Sequence, residues 1–317
     1  MTNPTDRYIH AATRENTRKS YRAAIEHYES VWGGYLPATA DSIAQYLAHY
    51  APTLAINTLK LRLAGLAAWH NDQGFPDPTK SPHVKKVLKG IAELHPHAET
   101  QAKPLRLEEL NTVVSWFDMV LASELCTHPR RLTLVRNKAL FLVGFWRAFR
   151  SDELTRINIE NVTVTPEKGL EIFLPRSKTD RNSQGRTVRV PALLQLCPVS
   201  AYLDWVSEAQ LREGPLFPGI NRWGHLADKP LHPASVITVI KQSCRLAGIP
   251  DSDEYSSHSL RRGFASWSNA QQWDIKALME YVGWKDVKTA LRYIDADDPF
   301  LSQAKDNGLP PLIKGLD

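Results

Sequence analysis

Cysteine is scarce in this chain: three among 317 residues, at Cys126, Cys197 and Cys244, far apart in sequence. An odd, scattered set offers neither a disulfide framework nor the paired spacing of a zinc site, and it suits a reducing compartment. Long apolar runs are missing as well, and none approaches the ~20 residues that cross a bilayer. The opening stretch MTNPTDRYIHAATRENTRKS is polar and lacks the apolar core of a secretory leader. There is no Gly-x-x-x-x-Gly-Lys loop for nucleotide phosphates, no metal-ligand spacing, no internal repeat and no low-complexity tract. These absences point to a soluble, cytoplasmic protein that works without a metal or other cofactor.

What is present is a mildly basic chain, net charge +5, with 43% hydrophobic residues. That apolar content is enough for two cores, and the charge permits nucleic acid as a partner without demanding it. The first hundred residues read as four short helices. NTRKSYRAAIEHYESVW carries Tyr21, Ala24, Ile25, Tyr28 and Val31 at helical spacing. TADSIAQYLAHYA opens on a cap, Thr39 or Asp41. INTLKLRLAGLAAWHNDQG is closed by Gly74 and two prolines, and SPHVKKVLKGIAEL starts with Pro82 in its first turn. The polar, proline-containing stretch HPHAETQAKPLR follows and is the natural domain boundary. The expected division is 1–96, a linker at 97–106, and 107–317. Beyond the linker a pair of helices, RLEELNTVVSWFDMVLAS and the nearly all-apolar LTLVRNKALFLVGFWRAF, precedes two β-rich pieces, LEIFLP and RTVRVP, around an exposed loop at 176–185. From ASVITVIKQSCRLAG onward the pattern is helical again. The expected class is mainly α, with a small antiparallel sheet in the second domain.

Four clusters rise above this background. In AFRSDELTRI, Arg150 stands at a helix start, where the dipole favours anions and not cations; an Arg150–Glu153 surface pair would also account for it. In YSSHSLRRGFASW, His258 and Arg261 are three apart and share a helix face. A protonated imidazole beside a guanidinium is unfavourable unless an anion lies between them, yet a capping histidine and a surface arginine give the same pattern. Lys178 lies in a polar loop between strands, where most lysines are simply solvated. Tyr293, in GWKDVKTALRYI, follows Trp284 and a helix that Asp286 can cap, and such a tyrosine is ordinarily core.

Together the clusters resemble the tyrosine recombinase (phage integrase) family. FRSDEL is similar to its Gly-Leu-Arg-x-x-Glu-Leu segment, HSLRRGFAS to its His-x-Leu-Arg segment, and VGWKDVKTALRYI to its Gly-(His or Trp) segment followed by tyrosine. The resemblance implies a four-helix, SAM-like core-binding domain and a mixed α/β catalytic domain. It implies roles as well: Tyr293 as the nucleophile that forms a 3′-phosphotyrosyl bond, Arg150 and Arg261 as the phosphate clamp, and His258 as acceptor or relay of the phenolic proton. Trp284 would donate its indole N–H to a phosphate oxygen, Lys178 would protonate the leaving 5′-oxygen, and Glu153 would orient its neighbours. Tryptophan at 284 places the chain nearer the Cre-like branch. Ala148 and Phe149 replace the usual glycine and leucine, which reads as a change of packing only, and the nearness of the first helices to residue 1 leads us to expect no arm-binding domain.

The chemistry fits the residue types. A phenol of pKa about 10 is a weak nucleophile that needs position and a proton acceptor, and paired guanidiniums can hold the phosphate oxygens as charge builds. Lys60, Arg62, Lys80, Lys85, Lys86 and Lys89 are candidates for contacts to DNA phosphates, against the alternative of a solvated basic face. The resemblance implies double-stranded DNA with inverted-repeat sites as partner, a homotetramer on two sites, and a tail after Tyr293 that packs on a neighbouring protomer. A type IB topoisomerase-like enzyme and a DNA-binding regulator with a vestigial site are the other readings.

Overall fold

The computed structural model describes residue 8 and residues 12–96, 101–165, 168–175 and 185–293. The chain divides into two compact units, Met1–Thr100 and Gln101–Asp317.

In the first unit the helices are α1 (Glu15–Glu26), α2 (Ala40–Tyr50), α3 (Ile56–Asp72) and α4 (Pro82–Leu94), with a π-helical turn at His27–Val31 continuing α1. The starts follow local chemistry. Thr39 accepts the Ser42 N–H ahead of α2, and Ser81 accepts the His83 N–H ahead of α4, with Pro82 in the first turn. Apolar side chains three, four and seven apart turn inward: Ile43, Tyr46 and Leu47; Leu59, Leu63 and Leu66; Val84 and Ile91. Each such side chain contributes about 1.5–3 kcal/mol by leaving water. Tyr46 is fully buried, with its hydroxyl 2.9 Å from His27 Nδ1, and burial pushes its phenol up to about 12.

The second unit contains α5 (Leu107–Leu121), α6 (His128–Trp146), α7 (Ser151–Thr155), β1 (Val162–Thr165), β2 (Gly169–Leu174), β3 (Arg186–Pro191), α8 (Pro198–Glu208), β4 (Pro218–Ile220), β5 (Leu226–Pro230), α9 (Pro233–Leu246), α10 (Ser259–Ala270), α11 (Ile275–Val282) and α12 (Val287–Leu291). Helix α6 is the axis of the core, buried without interruption from Ala139 to Trp146. An antiparallel sheet of order β1-β2-β3 pairs Leu170 with Val190 and Ile172 with Val188, all four buried. The sequence pattern marks β2 and β3. It does not mark β1, the β4–β5 ribbon or α8, because β1 is short and only half-buried, β5 is mostly exposed, and α8 buries few residues, Pro198, Ala201, Tyr202 and Trp205. The mainly α class with a small antiparallel sheet is what the structure has.

Within the stretch read as linker, residues 101–106 belong to the second unit. Leu105 is fully buried and its N–H donates to the Ser259 carbonyl at 3.0 Å. The Leu105 carbonyl lies so close to Gly263 on α10 that any Cβ there would overlap it. Gly263→Ala is therefore expected to lower stability by about 3 kcal/mol, since neither backbone can yield cheaply. Urea unfolding of the two proteins measures this, and an unchanged midpoint would contradict the close approach.

Candidate active site

Arg150 is the residue before α7. It follows a sharp turn at Ala148, whose φ of 52° lies in the left-handed region. A non-glycine residue there costs roughly 1–2 kcal/mol. The change from glycine is therefore a backbone cost as well as a matter of packing, which corrects the sequence expectation. Helix α7 has only 5 residues, so side chains and not a helix dipole set the local field. Glu153 performs the capping: one carboxylate oxygen accepts the Arg150 N–H at 3.2 Å and the other accepts Arg150 Nη1 at 3.0 Å. Its side chain is 1% exposed.

His258 is the residue before α10, without a side-chain cap hydrogen bond to it, and Arg261 stands in the first turn on the same face. Arg261 is 1% exposed. Its Nη1 donates to the Ala148 carbonyl at 2.6 Å and its Nη2 to the Val282 carbonyl at 3.5 Å, while Nε has no partner. Burial, and then the neighbouring Arg150, push its guanidinium down to about 9, which still leaves it charged at neutral pH.

Helix α11 ends at Gly283, with φ 77°, and the chain turns Trp284 into the site. The indole is buried, 5.1 Å from the Arg261 guanidinium carbon and 5.1 Å from the Tyr293 ring, and its N–H is unpaired. Asp286 then caps α12 by accepting the Thr289 N–H at 3.0 Å. Tyr293 follows, with its hydroxyl 2.9 Å from His258 Nδ1 and its ring 5.6 Å from the Arg261 guanidinium carbon.

Five of the six expected residues, Arg150, His258, Arg261, Trp284 and Tyr293, thus meet in one place with Glu153, although Arg150 and Tyr293 are far apart in sequence. Lys178 lies outside the described residues. Two further arginines at the site do not stand out in the sequence. Arg186, the first residue of β3, lies 3.5 Å from Glu153. Its signal is the strand period: position 186 shares the inward face with Val188 and Val190. Arg147 is buried over the Tyr281 ring at 4.5 Å and donates to the Tyr281 carbonyl, anchoring α11.

In the first unit, Lys60, Lys80, Lys85, Lys86 and Lys89 are exposed, with Lys80 3.6 Å from Asp77. The Arg62 guanidinium donates to the Ala23 carbonyl and so ties α3 to α1. Among the described residues no cluster of His, Cys, Asp or Glu is placed to hold a metal ion, and no helix is long and apolar enough to cross a membrane.

The chain that carries this assembly is similar to known proteins. Residues 121–299 match the phage integrase family. The chain is 32% identical over 315 residues to an integrase/recombinase xerD homolog from Selenomonas ruminantium, covering 96% of this chain and 87% of that one. It is 25% identical over 273 residues to recombinase cre of Escherichia phage P1, covering 82% and 77%. The structure of the XerH site-specific recombinase bound to a palindromic difH substrate, in a post-cleavage complex, aligns with a TM-score of 0.64 at 19% identity, covering 91% of this chain and 78% of that chain. The fold is shared with it. The chain belongs to the phage integrase family.

Asp286 supplies a test of how Tyr293 is held. The Thr289 hydroxyl and N–H hold its carboxyl below the usual aspartate range. A depressed carboxyl contributes fully above that range, and its contribution is lost as pH falls through the lowered value. Asp286→Ala is expected to fray α12 and speed amide exchange at Ala290, Arg292 and Tyr293, whereas Asp286→Asn keeps an acceptor and should preserve protection. Equal protection in all three proteins would show that the cap does not hold the tyrosine.

Proposed function

We propose that the protein is a site-specific DNA recombinase that cleaves and rejoins strands through a covalent 3′-phosphotyrosine on Tyr293. One observation carries this reading: the Tyr293 hydroxyl is hydrogen-bonded to His258 at the edge of a buried arginine cluster whose donors are only partly used. With its own proton on Nε2, His258 presents Nδ1 as acceptor for the phenolic proton. The phenolate oxygen attacks phosphorus, and Arg150 and Arg261 bind the non-bridging oxygens as negative charge builds on them. The free indole N–H of Trp284 adds a third donor, and as a donor only it cannot relay a proton. By the family resemblance Lys178 protonates the departing 5′-oxygen. The new phosphotyrosyl ester keeps the energy of the phosphodiester, so attack by a 5′-hydroxyl of another strand reseals the DNA without ATP.

The same reading extends to the partner. Residues 1–96 form a DNA-binding domain, to which Lys60, Arg62, Lys80, Lys85, Lys86 and Lys89 contribute phosphate contacts. Residues 107–317 form the catalytic domain. Protomers act as a homotetramer on two inverted-repeat sites through a Holliday junction, with the segment after Tyr293 exchanged between protomers. The xerD and cre relatives are named recombinases, and the XerH neighbour is bound to a palindromic substrate, which supports this extension.

The test begins with selection of bound fragments from the source genome, followed by incubation with nicked duplexes of the selected site. Wild-type protein is expected to become covalently attached, and Tyr293→Phe to bind without attaching. Arg150→Ala and Arg261→Ala should bind and attach ~100–1000-fold more slowly. A phenylalanine variant that still forms the adduct would overturn the mechanism. Strand exchange between two plasmid sites, as against relaxation alone, separates a recombinase from a topoisomerase.

A further inference from the structure

The Glu153 carboxylate poses an electrostatic problem for the site. It is needed, because it fixes Arg150 through both the backbone N–H and the guanidinium. It is also a buried anion next to the position where a phosphate must gain negative charge. Paired with Arg150 alone, it would consume one of the two clamp charges.

Arg186 answers this. Its Nη2 is 3.5 Å from the same carboxylate oxygen that accepts Arg150 Nη1. Its side chain is 26% exposed, but its Nε is buried and has no partner. The guanidinium packs against Gly283 so closely that any side chain at 283 would collide with it. Gly283 thus serves both its left-handed φ and the seat of Arg186, beside the turn that delivers Trp284. With Arg186 in place, three guanidiniums face one carboxylate, leaving two positive charges for a phosphate that becomes a dianion in the transition state. Arg150 and Arg186 both act electrostatically on Arg261, which places all three in one field.

We propose that Arg186 is a positioning residue for strand cleavage: it neutralises Glu153 and so leaves the charges of Arg150 and Arg261 free for the scissile phosphate. This rests on the recombinase reading for its substrate, but the charge pairing itself does not depend on cleavage.

The experiment compares wild type, Arg186→Ala, Arg186→Lys, the double variant Arg186→Ala with Glu153→Gln, and Arg189→Ala. Arg189 lies on the same strand, is exposed and pairs with Glu171, so it serves as control. On nicked duplexes of the selected site at saturating protein, Arg186→Ala should slow adduct formation by about 100-fold, with DNA affinity changed less than about threefold. Arg189→Ala and Arg186→Lys should stay within about tenfold of wild type. The double variant should regain about tenfold over Arg186→Ala, because removing the carboxylate charge removes the need for Arg186. A merely structural role would make the double variant slower still. A wild-type rate in Arg186→Ala, or a double variant no faster than it, would overturn the proposal. In parallel, the rise in thermal midpoint on adding inorganic phosphate should be smaller for Arg186→Ala than for wild type, and equal rises would also overturn it. If wild type forms no adduct while the phosphate difference persists, the recombinase reading falls and the charge pairing stands.

Discussion

A guanidinium that is 1% exposed is the constraint on which the site depends. Removing a charge from water costs several kcal/mol even after the protein relaxes, and the cost is tolerable only where dipoles replace the lost hydration. Arg261 finds those dipoles in two backbone carbonyls, Ala148 and Val282, which belong to turns far apart in the chain. Each turn carries a chemical group: Arg150 follows Ala148, and Trp284 follows Val282 by two. Solvating one buried cation therefore brings two further side chains of the proposed site to it. The left-handed backbone at Ala148 and Gly283 is part of the same requirement, because it lets each carbonyl or turn approach α10.

The free protein leaves this arrangement incomplete. Arg261 Nε, Arg186 Nε and Trp284 Nε1 are buried donors without partners. Each unpaired buried donor costs about 1–3 kcal/mol. The surrounding core offsets that cost. Phe264 stacks on Tyr281 at 5.2 Å, Trp146 meets Trp267 at 5.0 Å, and Trp273 meets Tyr281 at 5.5 Å, so α6, α10 and α11 cannot relax toward solvent independently. Rigid donors with unused hydrogens are what an oxyanion needs, since they do not have to reorient as its charge grows.

Much of this was legible in the sequence because the signals are local. Thr39, Pro82 and Asp286 mark helix starts by their own hydrogen bonds or fixed φ, and each helix begins where they stand. The motifs of the proposed site are legible as an ordered set because residue type is tied to chemistry. What escaped depends on pairing across the chain. Arg186 reads as an ordinary strand residue until Glu153, 33 positions earlier, is seen beside it. Nothing in the sequence near Arg62 shows that its guanidinium donates to the Ala23 carbonyl, 39 positions away. The ribbon β4–β5 has too few buried residues to impose an alternating pattern, and Arg136, buried in α6, reaches across to the Pro218 carbonyl of that ribbon in a contact no window of sequence contains.

The chain's layout also divides the site into two halves with different sensitivities. His258, Arg261, Trp284 and Tyr293 come from consecutive elements, α10 to α12, so their mutual geometry is set by two short turns and the Asp286 cap. Arg150 and Glu153 arrive from the end of α6, and their distance from the tyrosine is set by how α6 packs on α10. That contact is tight: a side chain at Gly144 on α6 would strike Leu260, the neighbour of Arg261. A displacement of ~1 Å between reacting groups can cost ~100-fold in rate. On the proposed mechanism, residues deep in α6, far from any phosphate, therefore govern the chemistry as firmly as those that would touch it, and they do so by fixing the spacing of Arg150 from Arg261 and not its charge.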